Sequence, residues 1–588
     1  MFGSSKDSLV NRNHQESDKG HWTHPITVVG LMLSGAAFFS YWYVVAKYAV
    51  NMPFWDDYDA LYFLNRFLSG KGFLYKMHLL FSQDNEHRIV FTRIVELLDY
   101  YAFGKINFIH VILVGDIGLL LIVLLLCLYL VKSRVRPLNL AVVAVTMFSF
   151  SQHDSMIWAA ASLQQYYELF FALAALFFFT RSSNTGDFVA GLCLATFASF
   201  TQASGLIVFP LMLLYFAISG DLKRVSIIAL YGTGIFYVYF VLLHYNMTSW
   251  GTASKMYALR HPLTYIKFVL IFMGNLMPGV HSYFLYLPFF TGVIFLIFAI
   301  YMGTQYVADK REPFLFFSML FVLATAAAAG LSRISWGIEE ATASRYSIYS
   351  LLLLAIVFSY YAIGYQGNRP ALLRLHIFGL IFPTIIFCVW LNTGITYIKY
   401  MSFAANHYIA YNPPDPDQGP NILSESRKLH IFVPDHMLIS ATHNGMLPNA
   451  PLPNSIAQIA LLPRNDYHTD FSVDSINNYD APFGHQDEAI VLQSNTITIT
   501  GWAIDEKERA LASAVFADID GQLFPLTYGI ERPGVASAFK NSGYEYAGFY
   551  GRIVARNLRP GTNTLSLRII DTKETGYYQT RPLRLLLR

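Results

Sequence analysis

The side chains best suited to chemistry lie in one polar stretch, residues 51–93, between the first two long apolar runs of the chain. Asp56 and Asp57 belong to its opening motif, NMPFWDDYD, and Glu86 and His87 belong to its NEHR segment. A carboxylate that is partly shielded from water can act as a general base, because desolvation increases its proton affinity. Ionisable groups near a bilayer are a functional-site hypothesis by default. We therefore expect the active site in this stretch.

Arginines supply a second chemical capability, the binding of phosphate. The planar guanidinium group matches the geometry of a phosphate and suits this role better than other cations. Arg88 and Arg93 follow the acids in the same stretch, whereas Arg333 and Arg345 lie in the later SRISWG and ASRY motifs at the ends of apolar runs. These four arginines are candidates for binding a phosphate leaving group, and His87 is a candidate hydrogen-bond or proton donor.

Each candidate also has a structural interpretation. The dipole of a helix stabilises acids in its first turn by about 0.3–1 kcal/mol each, so Asp56 and Asp57 also suit a helix start. Arginines can form local ion pairs on a polar helix face or extend from a helix end to reach water. Trp55, Tyr58 and Trp336 could stack on a sugar ring, but aromatic side chains at a membrane interface are more often anchors. The residues alone leave these alternatives open.

The composition predicts a polytopic α-helical membrane protein. Of the 588 residues, 54% are hydrophobic and only 13% are charged, which is unusual for a soluble enzyme. The net charge of +3 and the lack of a basic stripe argue against a nucleic-acid partner. All three cysteines lie in apolar runs, so no disulfide framework is expected. Apolar runs long enough to cross a bilayer include Ile26–Val50, Ile106–Val131, Val225–His244, Tyr283–Tyr306 and Leu375–Tyr397.

Basic residues in short loops predict the orientation, because they remain on the cytoplasmic side. The rule places the N-terminal tail, residues 1–25, inside and the chain after residue 397 outside. The positions of the basic loops agree with this rule if residues 262–279 form a re-entrant or surface helix instead of a full span. The chain then contains about eleven spans. The first outer loop, residues 51–105, then faces the same side as residues 332–345. No Gly-rich phosphate cradle is present on the cytoplasmic side, so a sugar donor would have to be carried by lipid.

Beyond residue 397 the pattern changes to that of an extracytoplasmic domain. Residues 398–486 are expected to form a linker or small subdomain, and residues 487–588 alternate with period two between turn motifs, which predicts a β-sandwich. The predicted strands are Ala489–Leu492, Ile497–Ile504, Ala514–Ile519, Tyr546–Val554, Thr564–Ile570 and Leu583–Leu587. Trp502 could form a sugar platform, but a tryptophan on an alternating strand more often belongs to the core.

The stretch from residue 26 to residue 397 resembles the GT-C superfamily of polytopic glycosyltransferases. The resemblance rests on a single span followed at once by PFWDDYD, then NEHR and the later SR and ASRY motifs, which are similar to those of bacterial membrane proteins linked to envelope polysaccharide decoration. It implies inverting transfer of a sugar from a polyprenyl-phosphate donor to an envelope glycan or glycolipid at the bacterial inner membrane. The C-terminal domain is similar to carbohydrate-binding jelly-roll modules.

The resemblance also implies roles for individual residues. Asp56 is the first choice for the base and Asp57 the second, and Arg88, Arg333 or Arg345 would receive the lipid phosphate. The chain lacks the WWDYG-type motif of the oligosaccharyltransferase branch, which argues against peptide transfer and a required metal. No cofactor is expected, although Asp56, Asp57 and Glu86 leave a divalent cation open.

Two other classes of protein fit part of the pattern. A lipid-linked glycan polymerase or ligase would usually present its key residues in a large later outer loop, whereas here the acids crowd the first. A glycolipid transporter or flippase should contain repeated halves with broken helices near the midplane. The chain shows one such interrupted segment, residues 262–279, without a matching partner.

Overall fold

The computed structural model of the chain separates into two compact units, which are described in turn. The helical unit comprises residues 25–49, 69–102 and 108–399, and the second unit comprises residues 50–68, 103–107 and 400–588. The structure describes residues 25–587 apart from 182–183, 280–283, 365–368, 407–417, 433–458, 467–468, 478, 481–489, 493–495, 531, 545, 555–557, 560 and 574. The predicted N-terminal tail and much of the predicted linker therefore lie outside the described residues.

Most of the long helices in the helical unit are apolar around most of their circumference, as expected for segments that contact lipid or one another. Its helices, with α2 belonging largely to the second unit, are α1 (Pro25–Tyr48), α2 (Asp57–Ser69), α3 (Phe73–Leu80), α4 (Val90–Phe103), α5 (Phe108–Lys132), α6 (Pro137–Met147), α7 (His153–Ile157), α8 (Ala159–Arg181), α9 (Thr185–Ser199), α10 (Val208–Ser219), α11 (Leu222–Tyr237), α12 (Ser249–Arg260), α13 (Pro262–Met273), α14 (Tyr286–Asp309), α15 (Pro313–Arg333), α16 (Ser347–Gly364) and α17 (Arg369–Asn406). Short 3-10 turns and a π-helical turn, Val238–Leu242, connect several of them.

Seven helical stretches among the described residues are long and apolar enough to cross a membrane. They include all five apolar runs that the sequence indicated, for example Phe108–Lys132 and Phe378–Lys399. Three further apolar helices are shorter: Thr185–Ser199, Ala203–Ser219 and Pro262–Met273. The architecture is compatible with a polytopic membrane protein, and the total of eleven spans stays a prediction.

The segment that was expected to be re-entrant forms the short helix α13. Its 12 residues extend about 18 Å, which is well short of the roughly 30 Å bilayer core. The helix ends at Gly274, where a Cβ atom would overlap the carbonyl oxygen of Pro288 in α14. Gly292 makes the reciprocal approach to the carbonyl of Leu270. The two glycines thus allow α13 and α14 to pack backbone against backbone.

Helices α5 and α8 form another close pair, and small residues again permit the approach. A Cβ atom at Gly115 would overlap the side chain of Ser162, and one at Gly118 would lie 2.9 Å from Cβ of Tyr166. Small residues at such interfaces allow close van der Waals packing between helices in an apolar environment. Tyr166 of α8 also interacts electrostatically with Asp116 of α5.

In the second unit, α2 packs against α18 (Gln418–Lys428). Asn65 is completely buried, donates a hydrogen bond to the carbonyl of Ile422 and accepts one from the hydroxyl of Ser426 at 2.8 Å. A backbone hydrogen bond from Ile106 to Ile431 adds a second connection. The helix that begins with the predicted acidic motif is therefore anchored to residues far along the chain.

Among the described residues, the C-terminal part of the second unit contains a ten-stranded, mainly antiparallel sheet whose largest hydrophobic cluster draws on most of its strands. The strands are β1 (Phe471–Ile476), β2 (Tyr479–Asp480), β3 (Ile490–Leu492), β4 (Thr496–Ala503), β5 (Ala514–Ile519), β6 (Gln522–Ile530), β7 (Gly548–Val554), β8 (Gly561–Ile570), β9 (Tyr577–Gln579) and β10 (Leu583–Leu587). Their order is β2-β1-β4-β7-β6-β5-β8-β10-β3, with β9 beside β8. Alternate residues of β4 and β5, such as Ile497, Ile499 and Val515, enter the same core.

The six predicted strands are all present, but the sheet contains more. It begins with β1, upstream of the predicted boundary at residue 487, and β6 was not predicted at all. Trp502 is partly buried and packs edge-on against Phe539, with ring centroids 5.6 Å apart. Its surroundings agree with the interpretation of this tryptophan as a packing residue.

We expect Gly115→Ala to destabilise the helical unit. The added methyl group would force α5 away from Ser162, and overpacking of this kind costs about 1–3 kcal/mol. Gly35→Ala in α1 is the matched control, because a Cβ atom there meets nothing within 4 Å. Thermal unfolding in detergent should show a lower midpoint for Gly115→Ala and no loss for Gly35→Ala. Equal midpoints would contradict the close approach of α5 and α8.

Candidate functional site

The NEHR segment forms a tight turn that positions its own side chains. Asp84 and His87 exchange two backbone hydrogen bonds of 2.8 Å, so only two residues connect them. The first of these, Asn85, has a φ of +47°, a conformation that asparagine adopts more readily than most residues. Glu86 follows it and is buried.

Glu86 forms the central ion pair of the site. Its Oε2 atom lies 2.8 Å from Nη1 of Arg333, which is the last residue of α15, and its Oε1 atom accepts a 2.7 Å hydrogen bond from the hydroxyl of Thr248. Burial alone would raise the pKa of Glu86. The charge of Arg333, the Thr248 hydroxyl and His87 outweigh burial and leave this pKa below its ordinary value of 4.5. Glu86 is therefore ionised and cannot serve as a proton donor at neutral pH.

The sequence did not indicate Thr248 as a site residue, yet its side chain connects the NEHR turn to the start of α12. Its hydroxyl donates to Glu86 and also accepts a hydrogen bond from the backbone N–H of Gly251, which caps α12. Gln83 strengthens the same connection through two hydrogen bonds with the backbone of Asn246. The cap signal in the sequence, a threonine before a helix, could have indicated the cap but not the partner.

His87 is neutral in the folded protein. Its Nδ1 atom accepts a 3.4 Å hydrogen bond from the backbone N–H of Ala203, which assigns the ring proton to Nε2. Burial and the charge of Arg333 lower the pKa of His87 to about 4, and the charge of Glu86 offsets them only in part. A hydrogen-bond role is therefore available to His87 at neutral pH, whereas delivery of a proton from an imidazolium is not.

The contacts of Arg88 are those of a residue that stabilises the fold. Its Nε, Nη1 and Nη2 atoms donate to the carbonyls of Tyr239, Phe81 and Leu243 at 3.1, 2.7 and 2.8 Å, respectively. The guanidinium group also lies 5.2 Å from the ring centroid of Tyr239. It thus satisfies carbonyls in and beside the π-helical turn Val238–Leu242, and every guanidinium nitrogen has a partner. Phosphate binding by Arg88 stays a prediction that this geometry does not favour.

Arg93 has a similar position at the end of α3. Its Nη1 atom donates to the carbonyls of Leu79 and Leu80 in the last turn of α3 and to that of Ser82 just beyond it. Carbonyls at a helix C-terminus need partners of this kind from outside the helix. Its Nη2 atom lies 3.9 Å from Asp84. The structure therefore gives Arg93 the role of a helix cap, and its predicted phosphate contact is likewise not favoured.

Arg333 differs from these two arginines because it retains unused donors. Nη1 interacts with Glu86 and the carbonyl of Ser332, whereas Nε and Nη2 make no hydrogen bond within the described part of the chain. The guanidinium group lies 4.7 Å from the ring centroid of Trp336, and this indole is 52% exposed. An anion that approached Arg333 would find two N–H groups and an accessible aromatic surface.

Arg345 belongs to the same cluster. It pairs with Glu340, lies 4.8 Å from the ring centroid of Tyr346 and interacts electrostatically with Asp154. Tyr346 also interacts with Arg333, and the two arginines repel each other electrostatically. We call Glu86, Arg333, Trp336, Arg345 and Tyr346 the arginine cluster. It brings together four of the residues that the sequence predicted as phosphate or substrate contacts, namely Glu86, Arg333, Trp336 and Arg345.

The predicted bases and aromatic contacts lie in the second unit. Asp57 is only 2% exposed, and its carboxylate accepts a 3.1 Å hydrogen bond from the backbone N–H of Phe54, which stabilises the start of α2. Asp56 is exposed. Trp55 is also exposed and stacks on Phe54, whereas Tyr58 is buried. The geometry favours Asp56 over Asp57 for contact with a substrate.

The comparisons and a search for metal ligands add nothing to these contacts. No family model, curated protein or solved structure matches the chain. Within the described residues, no three His, Cys, Asp or Glu side chains are grouped in a way that could hold a metal ion. The site is therefore interpreted from its own geometry.

We expect the low pKa of His87 to make stability pH-dependent. An unfolded histidine binds a proton below pH 6.5, but folded His87 does not until about pH 4. The unfolded state consequently gains protons first, and stability falls by about 1–2 kcal/mol as the pH decreases from 6.5 to about 5. His87→Gln should remove this part of the decline in the unfolding midpoint. Parallel curves for the two proteins would contradict the neutral state of His87.

Proposed function

We propose that this protein is an inverting glycosyltransferase that moves a sugar from a polyprenyl-phosphate carrier to an envelope glycan or glycolipid on the extracytoplasmic face of a bacterial inner membrane. The proposal rests on the contacts of Arg333. Two of its guanidinium nitrogens make no hydrogen bond among the described residues, and the group lies beside the exposed side chain of Trp336. A lipid-linked sugar presents a phosphate and a sugar ring together. Guanidinium and indole groups recognise these two parts.

The reaction is a single displacement at the anomeric carbon. Asp56 removes the proton of an acceptor hydroxyl, and the resulting oxygen forms a bond to the anomeric carbon on the face opposite the phosphate. The bond from this carbon to the phosphate oxygen breaks, and its electron pair leaves with the phosphate. Attack from the opposite face inverts the configuration. The role of Asp56 rests on the sequence motif and on the exposure of its side chain.

The arginine cluster supports departure of the phosphate. Negative charge increases on the leaving oxygen, and a fixed cation in a partly dry environment offsets it more strongly than a mobile one. Glu86 fixes Arg333 through Nη1, so that Nε and Nη2 remain available to the lipid phosphate. Arg345 contributes a second positive charge to the same cluster.

We expect Asp56→Asn to lower the rate of sugar transfer by about 10²–10⁴-fold, as loss of a general base usually does. The assay would present a panel of polyprenyl-phosphate sugars to purified protein, with envelope glycan extract as acceptor. Asp59→Asn is the matched control, because Asp59 is an exposed acid in the same helical turn. Asp57→Asn should primarily lower thermal stability. Lipid binding or movement without transfer, unaffected by Asp56→Asn and Asp57→Asn, would instead indicate a transporter.

We expect Arg333→Lys to reduce transfer by about 10²-fold with little change in stability. Lysine keeps a charge for Glu86 but lacks the planar fork that contacts phosphate. Arg88→Lys is the contrasting variant: it should lower the unfolding midpoint through lost carbonyl contacts and leave the turnover of folded protein nearly unchanged. Wild-type turnover in Arg333→Lys would argue against the role of Arg333.

A further inference from the structure

Asp116 is an ionisable residue buried in the middle of an apolar helix. It is completely inaccessible and lies eight residues after the start of α5, about 12 Å along the helix axis. Its Oδ1 atom accepts a 2.8 Å hydrogen bond from Tyr41 of α1, and Oδ2 makes no hydrogen bond within the described residues. Among these residues no cation is paired with it. Intramembrane acids of this kind are typically functional.

A chain of buried polar groups connects Asp116 to the start of α7. The hydroxyls of Tyr41 and Tyr166 lie 3.4 Å apart, and Tyr166 donates a 3.1 Å hydrogen bond to Oε1 of Gln152. Gln152 directly precedes His153 and Asp154, and the N–H of Asp154 donates to Ser344, next to the arginine cluster. Asp116, Tyr41, Tyr166 and Gln152 are each wholly or almost wholly inaccessible.

The ionised form of Asp116 is poorly supported by these contacts. A carboxylate without a cation or several donors in an apolar environment loses far more solvation energy than a neutral carboxyl group. The neutral form needs one acceptor for its O–H, which a tyrosine hydroxyl can provide. In that form the hydrogen bond between Tyr41 and Asp116 reverses: the carboxyl O–H donates to Tyr41, Tyr41 donates to Tyr166, and Tyr166 donates to Gln152. Every hydroxyl in the chain then has an acceptor.

We propose that Asp116 is a proton-binding site, occupied by a proton in the resting protein and connected through Tyr41 and Tyr166 to the segment Gln152–Asp154. Uptake of the proton forms one O–H bond on the carboxylate and removes its negative charge, with water as the proton source. The reverse step releases the proton to water. The proposal does not depend on glycosyl transfer.

The surrounding helices contribute few other groups that titrate. Tyr41 of α1 and Tyr166 of α8 interact directly with Asp116. Helix α6 contains no ionisable side chain. Helix α7 contributes His153 and Asp154, and Asp154 interacts electrostatically with Tyr166. Helix α8 also contains Glu168, a fully buried acid two residues after Tyr166.

Infrared spectroscopy of the full-length protein in lipid tests the proposal directly. A protonated carboxyl group has a C=O stretch that is separate from the carboxylate and amide bands and shifts in D2O. Glu168 of α8 is a second fully buried acid that burial can keep protonated, so the measurement is made in Glu168→Gln. We expect such a band at neutral pH in that variant and its loss when Asp116→Asn is added. Asparagine has nearly the same shape and can still accept from Tyr41, so the fold should persist.

Further variants keep the test decisive if Asp116→Asn fails to fold. Tyr41→Phe removes the hydrogen bond to the carboxyl group and should shift the band without abolishing it, whereas Phe39→Leu at an exposed position of the same helix should not. In the Glu168→Gln background, an unchanged band after addition of either Asp116→Asn or Tyr41→Phe would overturn the proposal. A band that appears only when sodium is replaced by a large organic cation would also overturn it and assign the site to a metal cation.

Discussion

The buried ion pair between Glu86 and Arg333 holds together the part of the helical unit that contains the candidate site. It joins the NEHR turn to the end of α15, and through Thr248 it also fixes the start of α12. Two buried charges are stable together only when their contact is close and their remaining hydrogen bonds are satisfied. The 2.8 Å separation and the Thr248 hydroxyl meet this requirement for Glu86. Arg333 is consequently rigid on one side and has unused donors on the other, which is the arrangement that preorganised anion binding requires.

The sequence was most informative where a local pattern decides the structure. The apolar run around Phe108–Lys132 and the strand Ala514–Ile519 were both predicted, because length and alternation are properties of a single segment. Strand β6 was missed because Pro525 interrupts its pattern, and a proline normally argues against an interior strand. In the structure this strand pairs with both β5 and β7. Its place in the sheet is therefore a consequence of tertiary pairing, which a local pattern does not contain.

The candidate site was predictable in its residue types but not in its partners. Glu86, Arg333 and Arg345 were identified because charged groups at the ends of apolar runs are conspicuous. The environment of Arg88 could not be predicted, because its partners are backbone carbonyls of distant segments and backbone carbonyls have no sequence signature. Asp116 was overlooked for the opposite reason. A single acid in a long apolar run does not alter the prediction of a helix, and its significance emerges only when Tyr41 and Tyr166 are brought around it.

Ionisable side chains along the helical unit differ in the ion-pair and hydrogen-bond partners that are available to them. Near the ends of helices, the buried Glu86 pairs with the largely buried Arg333, and Arg88 is satisfied by carbonyls at a π-helical turn. In the middle of α5, Asp116 has neither a cation nor a set of backbone donors, since a regular helix uses its own N–H groups. Neutralisation by a proton is the remaining way to lower the free energy of that carboxyl group. The same constraint, scarce hydrogen-bond partners within an apolar medium, thus favours paired, ionised residues near helix ends and a neutral carboxyl group at depth.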